Sequence, residues 1–365
     1  MDSNLGRGRE HHKRMANTAY TILEQFMIVI HIGLKKSGSA SLQTFLHENA
    51  ERLRELSMFY PTVGRKTRIA HHNFAHEIHG YKKFDPKLGI LSECAQDWGD
   101  CAERVMILSS EMFEEVETNE ALKMKRTLLE NRQSDFRIFL VIRDLVDLIP
   151  SSYAQKVKSG FHTYDFDTFF AERIRERRMH VSKTAGRWAK AFGWDNMYVR
   201  TLDRSDLLNG DLIDDFLAVC GANESADKLG LSRPGVQNVS PGWRVLEAMR
   251  ALSGGYHGLP STHPLQSVRR RELLGECAFQ VGEARGWNVD RGLYLTRDQA
   301  QHCHEIHLRS VLKLNRKLQR KLPLPLSLDE RGFSGRDFLP HVSHIPRQEL
   351  NAFYDDLGDL LRTSG

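Results

Sequence analysis

The sequence predicts an α/β fold in which a parallel sheet is covered by helices on both faces, giving three layers. Segments with helical spacing of apolar residues, notably Leu42 to Leu56 and Phe166 to Phe192, alternate with short apolar runs. Strands and helices that alternate in this way form right-handed βαβ units. The apolar runs, which are typical of buried parallel strands, lie near residues 27–32, 104–109, 137–142 and 196–201.

The first predicted strand leads into a glycine-rich turn and then a helix. Residues 33–38, here called the glycine loop, begin and end with glycine, and apolar residues follow at Leu42, Phe45 and Leu46. A strand, turn and helix in this order point successive backbone N–H groups at one spot, at the positive end of the helix dipole. We therefore interpret the glycine loop as an anion cradle suited to phosphate.

The lysines of the glycine loop distinguish it from a nucleotide triphosphatase P-loop. That motif reads GxxxxGK(S/T), with the lysine after the second glycine and a hydroxyl for magnesium. Here Ser39 and Ala40 follow the second glycine, and the lysines lie earlier, at Lys35 and Lys36. The loop thus places a cation over a bound anion but lacks the pair that holds a triphosphate and its metal. A tight turn with solvated lysines is the alternative interpretation.

A second candidate site follows the third predicted strand. The apolar run 138–142 ends at Arg143-Asp144, at the sheet edge where open α/β proteins bind ligands. The guanidinium of Arg143 matches phosphate oxygens, and the hydroxyl of Ser151 can complete the clamp. An ordinary strand end with a surface ion pair is the alternative.

These motifs resemble those of sulfotransferases. HIGLKKSGSASLQ is similar to the 5′-phosphosulfate loop of that family, and the stretch from Arg143 to Tyr153 is similar to its 3′-phosphate motif. The segments 107–111 and 186–193 also resemble family sequence, so that the resemblance covers about residues 27–245. It implies a P-loop NTPase-like fold and 3′-phosphoadenosine 5′-phosphosulfate (PAPS) as the donor.

The resemblance also implies roles for individual residues. Lys36 aligns with the catalytic lysine that faces the leaving phosphate, while Arg143 and Ser151 would hold the 3′-phosphate. Arg233 and Asn238 belong to a later segment that is expected to return to the phosphate end of the donor. The residues expected to hold the 5′-phosphate are Lys35, Lys36, Ser37, Gly38, Ser39, Ala40 and Ser41.

Four departures from the family pattern concern these motifs. Ala40 stands where the family has Thr or Ser, and Lys35 and Leu145 each stand where it has Pro. Pro150 directly precedes Ser151, and a helix interior resists proline. We interpret Pro150 as the first turn of a helix that restarts there, with its N–H groups aimed at the 3′-phosphate.

Two residues are candidates for the base that takes the proton of an acceptor hydroxyl. Glu111 follows the predicted strand near 104–109 and would lie at the ligand-bearing edge of the sheet. Its alternative role is to begin a helix that Ser109 or Ser110 caps. His72, in a histidine-rich segment, suits proton transfer near neutral pH.

The function predicted from these residues is transfer of a sulfuryl group from PAPS to an acceptor hydroxyl, with a carbohydrate or glycolipid as the expected acceptor. No metal is expected, because the clusters 71–79 and 302–307 lack metal-ligand spacing. We interpret the first as acceptor-site lining and the second as a polar helix face. The alternatives are a P-loop nucleotide kinase and a non-catalytic nucleotide-binding protein on a sulfotransferase scaffold.

Composition sets the remaining expectations. The 365 residues carry a net charge of only +5, which does not predict nucleic-acid binding. Five scattered cysteines indicate no disulfide framework, and no apolar run reaches the ~20 residues of a membrane span, so a cytoplasmic location is expected. We predict a disordered extension over residues 1–26, an α/β core over 27–245, and a mostly helical region over 246–365 packed on the core.

Overall fold

Five parallel strands form one sheet in the computed structural model of the chain. The order across the sheet is β2-β3-β1-β4-β5, and Ile30 in the central strand lies opposite Leu108 on one side and Ile138 on the other. Because every pair is parallel, the carboxyl ends of all five strands meet at one edge. The strands are β1 (Met27–His31), β2 (Met58–Phe59), β3 (Val105–Ser109), β4 (Asp135–Ile142) and β5 (Met197–Thr201).

The structure describes residues 25–65, 69–160, 163–235, 240–256, 268–289, 294–336 and 338–364. Asn238 and nearly all of the predicted extension over residues 1–26 lie outside them. The helices of the described residues are α1 (Ser39–Glu48), α2 (Ala50–Glu55), α3 (His72–His79), α4 (Leu91–Asp100), α5 (Thr118–Leu128), α6 (Leu145–Lys158), α7 (Phe166–Arg173), α8 (Val181–Phe192), α9 (Leu212–Val219), α10 (Trp243–Tyr256), α11 (Val268–Ala284), α12 (Arg297–Asn315) and α13 (Arg347–Ser364).

The two faces of the sheet pack into separate apolar clusters. Ile28 and Ile30 belong to a cluster that includes residues of α3, α4, α5 and α8. Met27 and Val29, which alternate with them along β1, belong to a cluster that includes residues of α1, α2 and α9. Helices therefore cover both faces, and the predicted three-layer α/β fold is confirmed.

The chain divides into two compact units. The first comprises the described residues of Met1–Arg143, His180–Gln237 and Arg309–Leu324, and it contains the sheet. The second comprises those of Asp144–Met179, Asn238–Leu308 and Pro325–Gly365, and its own apolar core involves α6, α7 and α10 to α13. The division does not fall at the predicted boundary after residue 245.

Several predicted elements are divided or lengthened in the structure. The two-residue strand β2 adds a fifth strand that the sequence pattern did not reveal. The predicted helix from Leu42 to Leu56 is interrupted at Asn49, whose side-chain amide donates to Phe45 O and Ser232 O. The predicted helical segment 166–192 is divided between α7 and α8.

Pro150 lies inside a continuous helix, so the interpretation that a helix restarts there is wrong. Helix α6 begins at Leu145, where Oδ1 of Asp144 accepts the N–H of Val146 at 2.9 Å. Proline at the sixth position cannot donate to the carbonyl of Val146 and crowds it, yet the helix continues to Lys158. The N–H groups that lack an intrahelical acceptor therefore lie in the first turn, which starts at Leu145, and not beyond Ser151.

Helix α12 buries histidines that the sequence pattern assigned to a polar face, and that interpretation is also wrong. His304 and His307 are both buried beside Cys303. Burial lowers the pKa of His307, an effect that the negative charge of Asp144 opposes. The buried face of α12 is determined by the apolar core of the second unit, which the local pattern does not encode.

Metal-ligand clusters and membrane-spanning helices were sought in the described part of the chain. No group of three or more His, Cys, Asp or Glu side chains is arranged there to hold a metal ion. None of its helices combines the length and hydrophobicity needed to cross a bilayer.

Candidate functional site

The glycine loop joins the end of β1 to the start of α1 through two residues with left-handed backbone. Gly38 has φ 81° and Lys36 has φ 69°. This conformation costs a residue with a side chain roughly 1–2 kcal/mol, and such cost is often found at functional sites. A Cβ atom on Gly38 would also lie 2.6 Å from Cδ2 of Leu212, so the backbone favours glycine there and a side chain would force Leu212 to move.

Helix α1 begins at this loop without a capping side chain and without an acidic residue in its first turn. Its first intrahelical bond runs from Leu42 N–H to Gly38 O at 3.2 Å. The N–H groups of Ser39, Ala40 and Ser41 precede that bond and point out of the helix end. The backbone thus offers a site of positive potential suited to an anion.

Two buried polar atoms at the glycine loop have no hydrogen-bond partner in the described part of the chain. They are the hydroxyl of Ser37 and Nε2 of His31, and both residues are fully buried. A Cβ atom on Gly33 would lie 2.1 Å from Oγ of Ser39 and 2.9 Å from Nε2 of His31, so these side chains pack directly against the glycine backbone. Buried polar groups nearly always have partners. The residues present therefore fit the phosphate group of a donor.

Arg143, at the end of β4, is bonded to the glycine loop. Its Nη1 donates to the carbonyl oxygen of Lys36 at 3.1 Å. The first unit thus brings two of the predicted donor-binding residues together. Ser151 lies in α6 of the second unit, and its pairing with Arg143 around the 3′-phosphate stays a prediction.

Glu111 begins a 3₁₀ helix, Glu111–Glu115, directly after β3. Ser110 caps this helix by accepting the N–H of Met112 at 3.1 Å, as the alternative interpretation proposed. The carboxylate of Glu111 also accepts from Nε2 of Gln43 at 2.8 Å. Because Gln43 belongs to α1, the helix that carries the anion site also holds this carboxylate.

The second candidate base, His72, contacts the first. Its Nε2 lies 3.5 Å from Oε1 of Glu111, and its Nδ1 lies 2.7 Å from Oγ of Ser110. Oγ of Ser110, which accepts from Met112, can also donate its single proton to Nδ1 of His72, and Nε2 of the ring faces Glu111. Two residues predicted as alternatives are thus neighbours.

Lys35 and Arg233 are engaged by carboxylates of the first unit. Nζ of Lys35 lies 3.1 Å from Glu115 and 3.5 Å from Glu114. Arg233 pairs with three aspartates, one of which, Asp211, caps α9. The ammonium of Lys35 is thus directed toward the helix that Glu111 begins.

Two residues of the candidate site, His31 and Gln43, were not predicted from the sequence, and a third, His71, was predicted only as part of the acceptor-site lining. Nδ1 of His31 lies 2.8 Å from Oγ of Ser109. His71 is fixed by two bonds, one from Ser109 N–H at 3.1 Å and one to Pro61 O at 3.0 Å. Burial lowers the pKa of His31 to about 4 and that of His71 to about 3, so both rings are neutral at pH 7. A polar residue that ends an apolar strand before a glycine was the available signal for His31.

Comparisons with known proteins give similarity to solved structures but no family match. No protein-family model matches the chain, and no curated protein matches it significantly. A solved structure of a sulfotransferase from Alicyclobacillus acidocaldarius is similar, with a TM-score of 0.37 and 18% identity over 62% of this chain and 91% of that chain. The assignment of this chain to the α/β class rests on its own sheet of five parallel strands.

Proposed function

We propose that this chain is a sulfotransferase that takes PAPS as donor and sulfates an acceptor hydroxyl. The observation that carries the proposal is that Arg143 is bonded to the glycine loop, while the helix that follows this loop is bonded through Gln43 to the carboxylate of Glu111. A cation, an anion cradle and a candidate base are the groups that transfer from a phosphate-linked donor to a hydroxyl requires.

The glycine loop would hold the 5′-phosphosulfate end of the donor. Backbone N–H groups at the start of α1 and the buried hydroxyl of Ser37 supply hydrogen-bond donors. Lys36 is the residue proposed to offset the negative charge that grows on the leaving phosphate. Arg143, with Ser151, is proposed to bind the 3′-phosphate, because a guanidinium pairs with phosphate oxygens in a fork.

The same loop argues against a nucleotide kinase. A kinase P-loop needs a lysine and then a hydroxyl after the second glycine, and this chain has Ser39 and Ala40. The hydroxyl of Ser39, the first residue of α1, donates to Leu34 O of the glycine loop at 3.2 Å. Ala40 offers no hydroxyl for magnesium. These positions favour a donor whose charge is offset by protein cations.

Glu111 is the proposed general base, and His72 its positioning partner. The acceptor oxygen forms a bond to sulfur while the bond between sulfur and the phosphate oxygen breaks, and the hydroxyl proton passes to Glu111. The phosphate leaves with the bonding electron pair, beside Lys36. Gln43 and His72 fix the two carboxylate oxygens, which reduces the motion needed before proton transfer.

A carbohydrate or glycolipid is the proposed acceptor. The ring of Tyr81 is 41% exposed and stacks on His79 with a centroid distance of 4.8 Å. Its hydroxyl donates to Glu115 at 3.3 Å, and Glu115 also pairs with Lys35 of the glycine loop. An open aromatic ring beside carboxylates, close to the glycine loop, presents both an apolar face and polar groups to a sugar.

Thermal unfolding with ligands tests the donor assignment. Adenosine 3′,5′-bisphosphate should raise the melting temperature, since a ligand at 100 times its Kd stabilises the native state by about 2.7 kcal/mol. Stabilisation by ATP with magnesium, and none by the bisphosphate, would indicate a kinase. Donor binding without sulfate transfer to any acceptor in a glycan and glycolipid panel would indicate a non-catalytic scaffold.

A further inference from the structure

His31 has one engaged ring nitrogen and one buried ring nitrogen without a partner. It is the last residue of β1, and none of its surface is exposed. Nδ1 is bonded to the hydroxyl of Ser109 at 2.8 Å, while Nε2 has no partner in the described part of the chain. Such an atom in a native protein calls for an explanation, and a ligand is one.

The contact between Nδ1 of His31 and the hydroxyl of Ser109 is compatible with two tautomers of the ring. The hydroxyl either accepts from Nδ1–H, or it donates its own proton to Nδ1 and leaves the ring proton on Nε2. The second arrangement gives Nε2 a proton that it can donate at the glycine loop. His71 fixes the position of Ser109, because Nδ1 of His71 accepts the backbone N–H of Ser109 at 3.1 Å.

The edge of the ring that carries Nε2 lies against the glycine loop. The position a Cβ would take on Gly33 is 2.9 Å from Nε2 of His31 and 2.1 Å from the hydroxyl of Ser39, at the start of α1. The ring also packs against Phe139 and Phe216, with centroid distances of 5.9 and 6.3 Å. The ring is thus held by apolar neighbours, and its Nε2 edge lies against the loop.

We infer that the Nε2–H of His31 is a further hydrogen-bond donor for the anion held by the glycine loop. The anion would then be bound by this side chain as well as by the backbone N–H groups at the start of α1. This inference rests on the proposed function only in identifying that anion as the 5′-phosphate group of the donor. Burial keeps the ring neutral, with a pKa of about 4, so it contributes a fixed donor and no charge. A neutral buried donor binds a phosphate oxygen without a counterion to be displaced.

Two substitutions separate this role from simple packing. The amide nitrogen of His31→Gln can reach the place of Nε2, whereas that of His31→Asn can reach only the place of Nδ1. We expect His31→Asn to weaken binding of adenosine 3′,5′-bisphosphate by about 10- to 100-fold, which is the effect of one hydrogen bond to a charged group. We expect His31→Gln to bind within about threefold of the original protein, a small fraction of that effect.

Isothermal titration calorimetry with the full chain measures these affinities, with melting temperatures of the free variants as the folding control. Equal affinities for both variants, whether weak or strong, would overturn the inference. Nitrogen-15 NMR of histidine-labelled original protein provides a test without a variant. We expect Nε2 of His31 to be protonated, and its resonance to shift when the bisphosphate or inorganic pyrophosphate binds. A protonated Nδ1, or a resonance that binding leaves in place, would overturn the inference.

The outcomes also separate this inference from the proposed function. If pyrophosphate or ATP binds and shifts the His31 resonance, but the bisphosphate does not bind, the inference holds and the PAPS assignment fails. If the bisphosphate binds and His31 does not respond, the PAPS assignment holds and the inference fails. A protein that binds none of the three contradicts both.

Discussion

The buried histidines next to the glycine loop predict a specific loss of stability in mild acid. His31 and His71 have no exposed surface, and burial lowers their pKa values to about 4 and about 3. In the unfolded chain a histidine titrates near pH 6.5. The unfolded state therefore binds protons that the folded state rejects, and the free energy of unfolding falls as the pH drops below 6.5. The contribution is fully present above about pH 7 and is lost progressively toward pH 4 for His31 and pH 3 for His71.

The magnitude follows from these pKa values. A pH of 5 is ~1.5 units below the pKa of a histidine in the unfolded chain, and each unit corresponds to about 1.36 kcal/mol. Each ring should therefore cost the folded protein about 2 kcal/mol between pH 7 and pH 5, and the two rings together about 4 kcal/mol. This is a large share of the 5–15 kcal/mol that is typical of a folded domain.

The variant His71→Gln isolates one of these contributions. The amide nitrogen of glutamine can take the place of Nε2 and keep the bond to Pro61 O, and glutamine does not titrate. Urea unfolding at pH 7 and pH 5 should give a pH-dependent loss about 2 kcal/mol smaller in His71→Gln than in the original protein. His302→Gln, at an exposed position of α12, serves as the control. The reasoning is refuted if His71→Gln and the original protein lose the same stability between the two pH values.

Four substitutions test the proposed site. Lys36→Ala should lower turnover about 100-fold with the donor still bound, because removing one group that stabilises transition-state charge costs that much; near-normal turnover would contradict its role. Glu111→Gln should lower turnover by about 100-fold or more without changing the Kd of adenosine 3′,5′-bisphosphate, as expected for a general base; a change in Kd alone would contradict it. Gly38→Ala should lower the melting temperature and weaken bisphosphate binding, since its φ of 81° disfavours a methyl group and that group would displace the side chain of Leu212; normal binding would contradict the loop assignment. Arg143→Lys should weaken bisphosphate binding about tenfold in titration calorimetry, because a lysine cannot form the fork; unchanged binding would contradict its assignment.

The sheet was predictable because its strands are long apolar runs followed by polar or glycine residues. The boundaries of four strands agree with the sequence pattern to within about two residues, the usual margin at element ends. The strand β2 escaped prediction because two residues, Met58–Phe59, are too few to display alternation. The break in the first helical segment was not predictable either. Asn49 ends α1 by donating to Ser232, which is distant in sequence.

Residues of the candidate site could be predicted where they directly follow a strand. Contacts that depend on how helices pack against the sheet could not be predicted. Lys36 and Glu111 could be named from the glycine loop and from the residue after a strand. Their connection through Gln43 and His72 depends on how α1 and α3 approach β3, which no local pattern encodes. His31 was missed for a similar reason, because within an apolar run it counts as one more strand residue.

Radiolabelled sulfate transfer from PAPS to a panel of glycans and glycolipids tests the central claim most directly. The glycine loop, Lys36 and Glu111 together predict that the chain forms a labelled product with at least one acceptor, and that Lys36→Ala forms about 100-fold less. Absence of labelled product from every acceptor, while adenosine 3′,5′-bisphosphate binds, would contradict the claim that this site transfers sulfuryl groups.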